Sequence, residues 1–158
     1  MKSKIRLGLL LFVVVFALNA SANNTPLSAE KILDLVNADR AERGLNPVKL
    51  SPSLNLAASA KAYDMLEYNY FSHTSPSGTK PWHWFKSLGY NYTYAGENLA
   101  QGFSNPVELE QSWMASETHR DNILSSDYAE MGIAIVQTQA TTLIVQFFGS
   151  KEDKLTVK

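Results

Sequence analysis

The chain has 158 residues, 45% of them apolar and 18% charged, with a formal net charge of −1 and no cysteine. Those values fit one globular domain and exclude wholesale disorder. Without cysteine there is no disulfide framework, no thiolate metal site and no cysteine nucleophile; without a basic excess, nothing marks a nucleic-acid binder.

In chain order, Met1 to Ala22 reads as a secretory signal. Lys2, Lys4 and Arg6 precede the apolar run Leu7 to Leu18, and Ala20-Ser21-Ala22 supplies a small-residue cleavage site after Ala22. The run of 12 residues is shorter than the roughly 20 that span a bilayer. Removing 22 residues leaves 136, and three basic residues leave with them, so 11 Lys and Arg face 15 Asp and Glu at a formal charge of −4. The expected organisation is a signal over 1–22, a polar leader over 23–30, one domain over 31–149 and a charged tail over 150–158. The mature chain has no expected transmembrane segment and is placed in the periplasm or outside the cell.

Within the domain, Ile32, Leu35, Val36 and Asp39 recur at helical spacing, which predicts a helix from Ser28 to about Arg43 stopped by Gly44. Ser51-Pro52 opens a second helix whose face carries Leu54, Ala57, Ala58, Ala62, Met65 and Leu66. A turn-rich loop follows, Tyr70 to Gly78, and then a short aromatic helix from Pro81 to Leu88, ended by Gly89. Tyr90 to Gly102 reads as either loop or strand. Asn105-Pro106-Val107-Glu108 caps a helix that runs to about Met114. Met131 to Gln137 and Thr142 to Phe148 are β-branched runs across a short turn, a predicted hairpin.

The candidate chemistry lies in the polar segments. His73 and His119 form no short metal motif, so a site containing them must be assembled by the fold. Glu97 sits inside the small and apolar run Ala95 to Ala100, where a carboxylate is paired, metal-bound or raised in pKa. A Ser116–His119 hydrolase with Glu97 or Glu117 as the acid is the competing arrangement, though no Gly-x-Ser-x-Gly elbow accompanies it. Nine aromatic residues lie between Tyr68 and Tyr94; of these, Tyr70, Trp82 and Trp84 are candidates for a ligand groove.

These segments join in one resemblance. Val36-Asn37-Ala38-Asp39-Arg40 with Gly44-Leu45, Leu54 to Ala62, Tyr70-Phe71-Ser72-His73, Ala95-Gly96-Glu97-Asn98-Leu99-Ala100, Trp113 to Ser116, His119-Arg120, Asn122-Ile123-Leu124 and Met131-Gly132 resemble the CAP superfamily, the SCP or pathogenesis-related-1-like proteins. The likeness runs from about Leu33 to Phe148 and, with its short Trp113-to-His119 interval and no cysteine, is similar to the compact bacterial branch. It implies an α+β fold, a three-layer α–β–α sandwich with a mostly antiparallel sheet. It also implies a cleft in which His73, Glu97 and His119 bind zinc or another divalent cation, a donor set that suits zinc with an open water position. Ser116, where many eukaryotic members place a Glu, with Glu117 and Asn98, would support that cleft. The function implied is an exported binding protein for a small ligand or envelope component. A metal-assisted hydrolase with Glu97 as general base and a lipid- or sterol-binding module are the alternatives.

Overall fold

A computed structural model describes residues 25–151; the predicted signal and most of the predicted tail lie outside them. Three N-cap positions start the three longest helices. Ser28 accepts a hydrogen bond from the Lys31 amide and starts α1, Ala29–Ala41, inside the stretch expected to be leader. Ser51 and Pro52 start α2, Pro52–Glu67, with Ser51 at the cap position but making no side-chain cap bond. Asn105 accepts from the amides of Val107 and Glu108 and opens α4, Pro106–Ala115. Between these helices run β1, Lys49–Leu50, α3, Trp82–Ser87, and β2, Tyr92–Gln101. The chain finishes with α5, Glu117–Leu124, and the hairpin of β3, Glu130–Gln137, and β4, Thr142–Lys151. β4 therefore carries Ser150 and Lys151, which the sequence placed in the tail.

The four strands lie in the order β1-β3-β4-β2. β1 is parallel to β3, while β3 with β4 and β2 with β4 are antiparallel. Because alternate residues of a strand point to opposite faces, the sheet separates two cores. Leu99, Ala134, Leu143, Val145 and Phe147 face α2 and α3. Ala100, Met131, Ile133, Ile144 and Phe148 face α1, α4 and α5. This is the expected α–β–α sandwich, with α2 and α3 on one side and three helices on the other.

Small residues set the spacing. Ala57, Ala58 and Ala62 are fully buried along α2, and a Cβ on Gly132 would run into the Leu54 backbone. That contact brings α2 down onto β3 closer than any residue with a side chain permits.

β2 forms one edge of the sheet, and helices from the other side lean over it. Trp113 Nε1 donates to the Leu99 carbonyl at 3.3 Å, and Asn122 Nδ2 donates to the Glu97 carbonyl at 3.0 Å. No described helix is long and apolar enough to cross a membrane.

Candidate functional site: a histidine–glutamate cleft at the edge strand

The site forms where the loop after α2 meets β2. Glu97, in the middle of β2, faces the α2 side with its side chain only 2% exposed, whereas the His73 ring is 59% exposed. His73 Nδ1 lies 2.5 Å from Glu97 Oε1, so one ring nitrogen is hydrogen-bonded to the buried carboxyl group while the rest of the ring is exposed. The remaining oxygen, Glu97 Oε2, is buried without a hydrogen-bond partner among the described residues. Burial pushes the Glu97 carboxyl above its ordinary value, opposed by the hydrogen bond from His73 and by the charges of His73 and Lys61.

Lys61 explains why the loop sits there. It occupies the same helical stripe as Ala57, Ala58 and Met65 and is fully buried. Its ammonium donates to the Tyr70 hydroxyl at 2.9 Å and to the carbonyls of Ser72 and His73 at 2.9 and 3.1 Å. Tyr70 in turn donates to Asp64. Burial lowers the Lys61 pKa, and the charges of Glu97 and Asp64 work against that fall.

His119 arrives from the opposite face. It stands half-buried on α5, and its pKa is lowered by burial and then by the charge of His73. An amide network fixes this helix. Asn98 Nδ2 donates to the His119 carbonyl at 3.2 Å and to Gln146 Oε1 at 2.9 Å, and Asn122 Nδ2 reaches Asn98 Oδ1 at 2.9 Å. The far end of α5 is held by Arg40, fully buried, whose guanidinium donates to the carbonyls of Ile123 at 2.7 Å and Ser125 at 2.8 Å. This places a cation at the helix C-terminus, where the unpaired carbonyls need donors. A Cβ on Gly96 would come within 2.5 Å of the Tyr128 hydroxyl and 2.7 Å of Asn122 Oδ1, so α5 rests directly on the strand.

The resulting cavity, about 390 Å³, is bordered by His73, Lys80, Trp82, Gly96, Glu97 and Asn122. Of the sequence candidates it gathers His73, Glu97 and Trp82; His119 and Asn98 are not among its lining residues, though His119 is near enough to feel the charge of His73. Tyr70 borders a separate cavity near Phe71, its hydroxyl engaged by Lys61 and Asp64. Trp84 packs half-buried against the α2 core. Ser116 joins α4 to α5 without a side-chain cap bond, its hydroxyl 3.4 Å from Thr118 Oγ1, and Glu117 is exposed. No hydrogen bond links Ser116 to His119 among the described residues, so a serine nucleophile and histidine base are not assembled.

Among the described residues, no group of three or more His, Cys, Asp or Glu is arranged to hold a metal ion. The pair at hand, a carboxyl group hydrogen-bonded to an imidazole nitrogen, is the arrangement that orients a histidine from behind. It fits Glu97 as the support of His73 and does not fit Glu97 as a third ligand. Lys61 and Arg40 were missed as structural supports in the sequence. Each is a cation on an otherwise apolar helical stripe, which is the signal that marks them.

A mixed sheet between two helical layers, with a histidine and a glutamate joined at its edge strand, defines a sandwich-type cleft protein. The chain belongs to the CAP family, the cysteine-rich secretory protein family, whose model matches residues 33–148; this member has no cysteine at all. It is 39% identical over 127 residues to the uncharacterized protein YkwD of Bacillus subtilis (strain 168), a match covering 75% of this chain and 49% of YkwD. The chain thus spans about half the length of that curated relative. Among solved structures it is similar to an extracellular protein containing a SCP domain from Bacillus anthracis str. Ames, at 27% identity and a TM-score of 0.70, over 80% of this chain and 45% of the other. An outer surface protein from Borrelia burgdorferi shares the fold at 19% identity and a TM-score of 0.70, over 82% of this chain and 99% of that one.

Proposed function

We propose that this chain is an exported binding module that takes a small polar ligand or an envelope component at the His73–Glu97–His119 cleft. The observation that carries this reading is the 2.5 Å bond between a buried carboxylate and an exposed imidazole. Such a pair fixes the ring and leaves one nitrogen facing the cavity. Export rests on the basic, apolar and small-residue pattern of residues 1–22, in keeping with the extracellular and outer-surface descriptions of two structural neighbours.

A divalent cation belongs to the same reading. The imidazoles of His73 and His119 would hold it, water would complete its shell, and Glu97 would polarise His73 from behind; when bound, such a cation supplies Lewis-acid attraction for a ligand oxygen or nitrogen. Two imidazole ligands are fewer than the three protein ligands usual at catalytic zinc, which favours binding over catalysis. Glu97 is enclosed behind His73 and is poorly placed to take a proton from a water, so no observation favours the hydrolase reading. The aromatic segment lends little to lipid carriage, since Phe85 is fully buried and Trp82 stacks edge-on against it at 5.8 Å.

Zinc titration of the protein by calorimetry tests the cation, with His73→Ala and Glu97→Gln as variants. A saturable site that His73→Ala abolishes and Glu97→Gln weakens about 10- to 100-fold is the expected result. A titration with no saturable heat removes the cation and leaves the cleft to a metal-free ligand. Unaltered zinc binding in His73→Ala would place the ion elsewhere.

A further inference from the structure

A second charged site lies between α1 and α4. Glu110 is 3% exposed, and among the described residues neither of its carboxyl oxygens has a hydrogen-bond partner of good geometry. Asp39 of α1 stands close enough to act on it, without forming a well-shaped hydrogen bond. Both border a cavity of about 260 Å³ with aliphatic walls, Leu35, Val107 and Met114, and with exposed Glu42 on its open side. Burying a carboxyl without a partner is unfavourable, and an aliphatic side chain there would cost less. Among the described residues no cation pairs with Glu110, while Arg43 pairs with the Asp39 and Glu42 carboxylates on the exposed rim. Arg43, 3.6 Å from the Asp39 carboxylate, donates to the backbone of its own helix at 2.8 Å. Arg120 of α5 donates to the Met114 carbonyl at 3.1 Å.

We propose that this groove is a binding pocket for an alkylammonium group, the chemistry of a lysine side chain or of a free aliphatic amine. The aliphatic walls take the methylene stem, and the Asp39 and Glu110 carboxyls take the ammonium head, whose three N–H donors suit two carboxylates. In the empty pocket, burial and the Asp39 charge push Glu110 up to about 8, so it carries a proton at neutral pH. An arriving ammonium replaces that proton with its own charge. Binding therefore releases a proton and tightens as the pH rises towards 8, with Glu42 adding to the attraction and Arg43 and Arg120 opposing it. The pocket is separate from the His73 cleft and stands or falls independently of it.

The experiment is calorimetric titration of the full chain with three probes: N-acetyl-lysine methylamide, 1,5-diaminopentane and N-acetyl-norleucine methylamide. Saturable binding of at least one ammonium probe is expected, with none of the norleucine probe, which has a similar stem and no charge. Repeating the titration at pH 7 in buffers of different ionisation heat should show about one proton released per ligand. Glu110→Gln should weaken binding at least about tenfold, roughly 1.4 kcal/mol, and Asp39→Asn should act in the same direction should the first variant fail to fold. Binding of the lysine probe alone assigns the pocket to a protein partner, and binding of the diamine alone assigns it to a free amine. No binding of either amine, equal binding of the norleucine probe, or unchanged binding in both variants overturns the proposal.

Discussion

His73 stands on a loop and His119 on a helix, and the supports behind them share almost no chemistry. The loop is held by titratable side chains, Lys61 beneath it and Glu97 behind its ring. The helix is held by neutral amides, Asn98, Asn122 and Gln146, and by one guanidinium on its terminal carbonyls. A loop without internal ladder bonds needs strong local anchors, whereas a helix already has its backbone satisfied and needs only placement. The difference separates what variants should do on the two faces of the sheet.

The largest effect is expected at Arg40. Arg40→Ala leaves the carbonyls of Asn46, Ile123 and Ser125 without their donor and should remove about 3–5 kcal/mol from urea unfolding. Amide exchange should accelerate in α5 and stay unchanged in the His73 loop; equal acceleration of both would break the comparison. Next comes pH. Glu110 ionises near 4.5 in the unfolded chain and near 8 in the folded one, so between those values the folded state holds the extra proton. Its contribution is fully present below 4.5 and is lost as the pH climbs through 8, on the order of 2–4 kcal/mol. Denaturant melts across that range should slope downward in the wild type and flatten in Glu110→Gln.

Lys61→Met should be milder, about 1–3 kcal/mol, because an apolar chain refills the volume while three acceptors lose their donor. Its signature is local: faster proteolysis between residues 70 and 80, with α5 protected as before. Ser116→Ala should change stability by less than about 0.5 kcal/mol, since its hydroxyl caps nothing. A thermal melt that drops markedly would give Ser116 a role the geometry withholds.

Much of the framework was legible in the residues. Ser28, Pro52 and Asn105 mark three helix starts by side-chain chemistry alone, and the β-branched runs around Thr138 to Thr141 mark the hairpin. β1 was not legible because two residues carry no periodicity. β2 stayed open between loop and strand because Gly96, Glu97 and Asn98 interrupt its apolar pattern, and those interruptions are the site. The His73–Glu97 pair joins residues 24 apart in sequence, so only the family resemblance brought them together. The partner each histidine would choose lay beyond the residues, since it depends on which face of β2 each side chain takes. Lys61 and Arg40 stand on apolar helical stripes, but the residues do not say which acceptors they reach. Only burial turns them into anchors.

The two bonds over the outer strand have a further consequence. An edge strand presents a row of free donors and acceptors that another chain can extend into a larger sheet, which is a route to aggregation. Here the carbonyls of Glu97 and Leu99 are taken by Asn122 and Trp113, so a second copy meets an edge with two of its central acceptors already occupied. The contacts that seat α4 and α5 on β2 thus also blunt that edge of the sheet, in a domain with no cysteine and hence no disulfide to hold it.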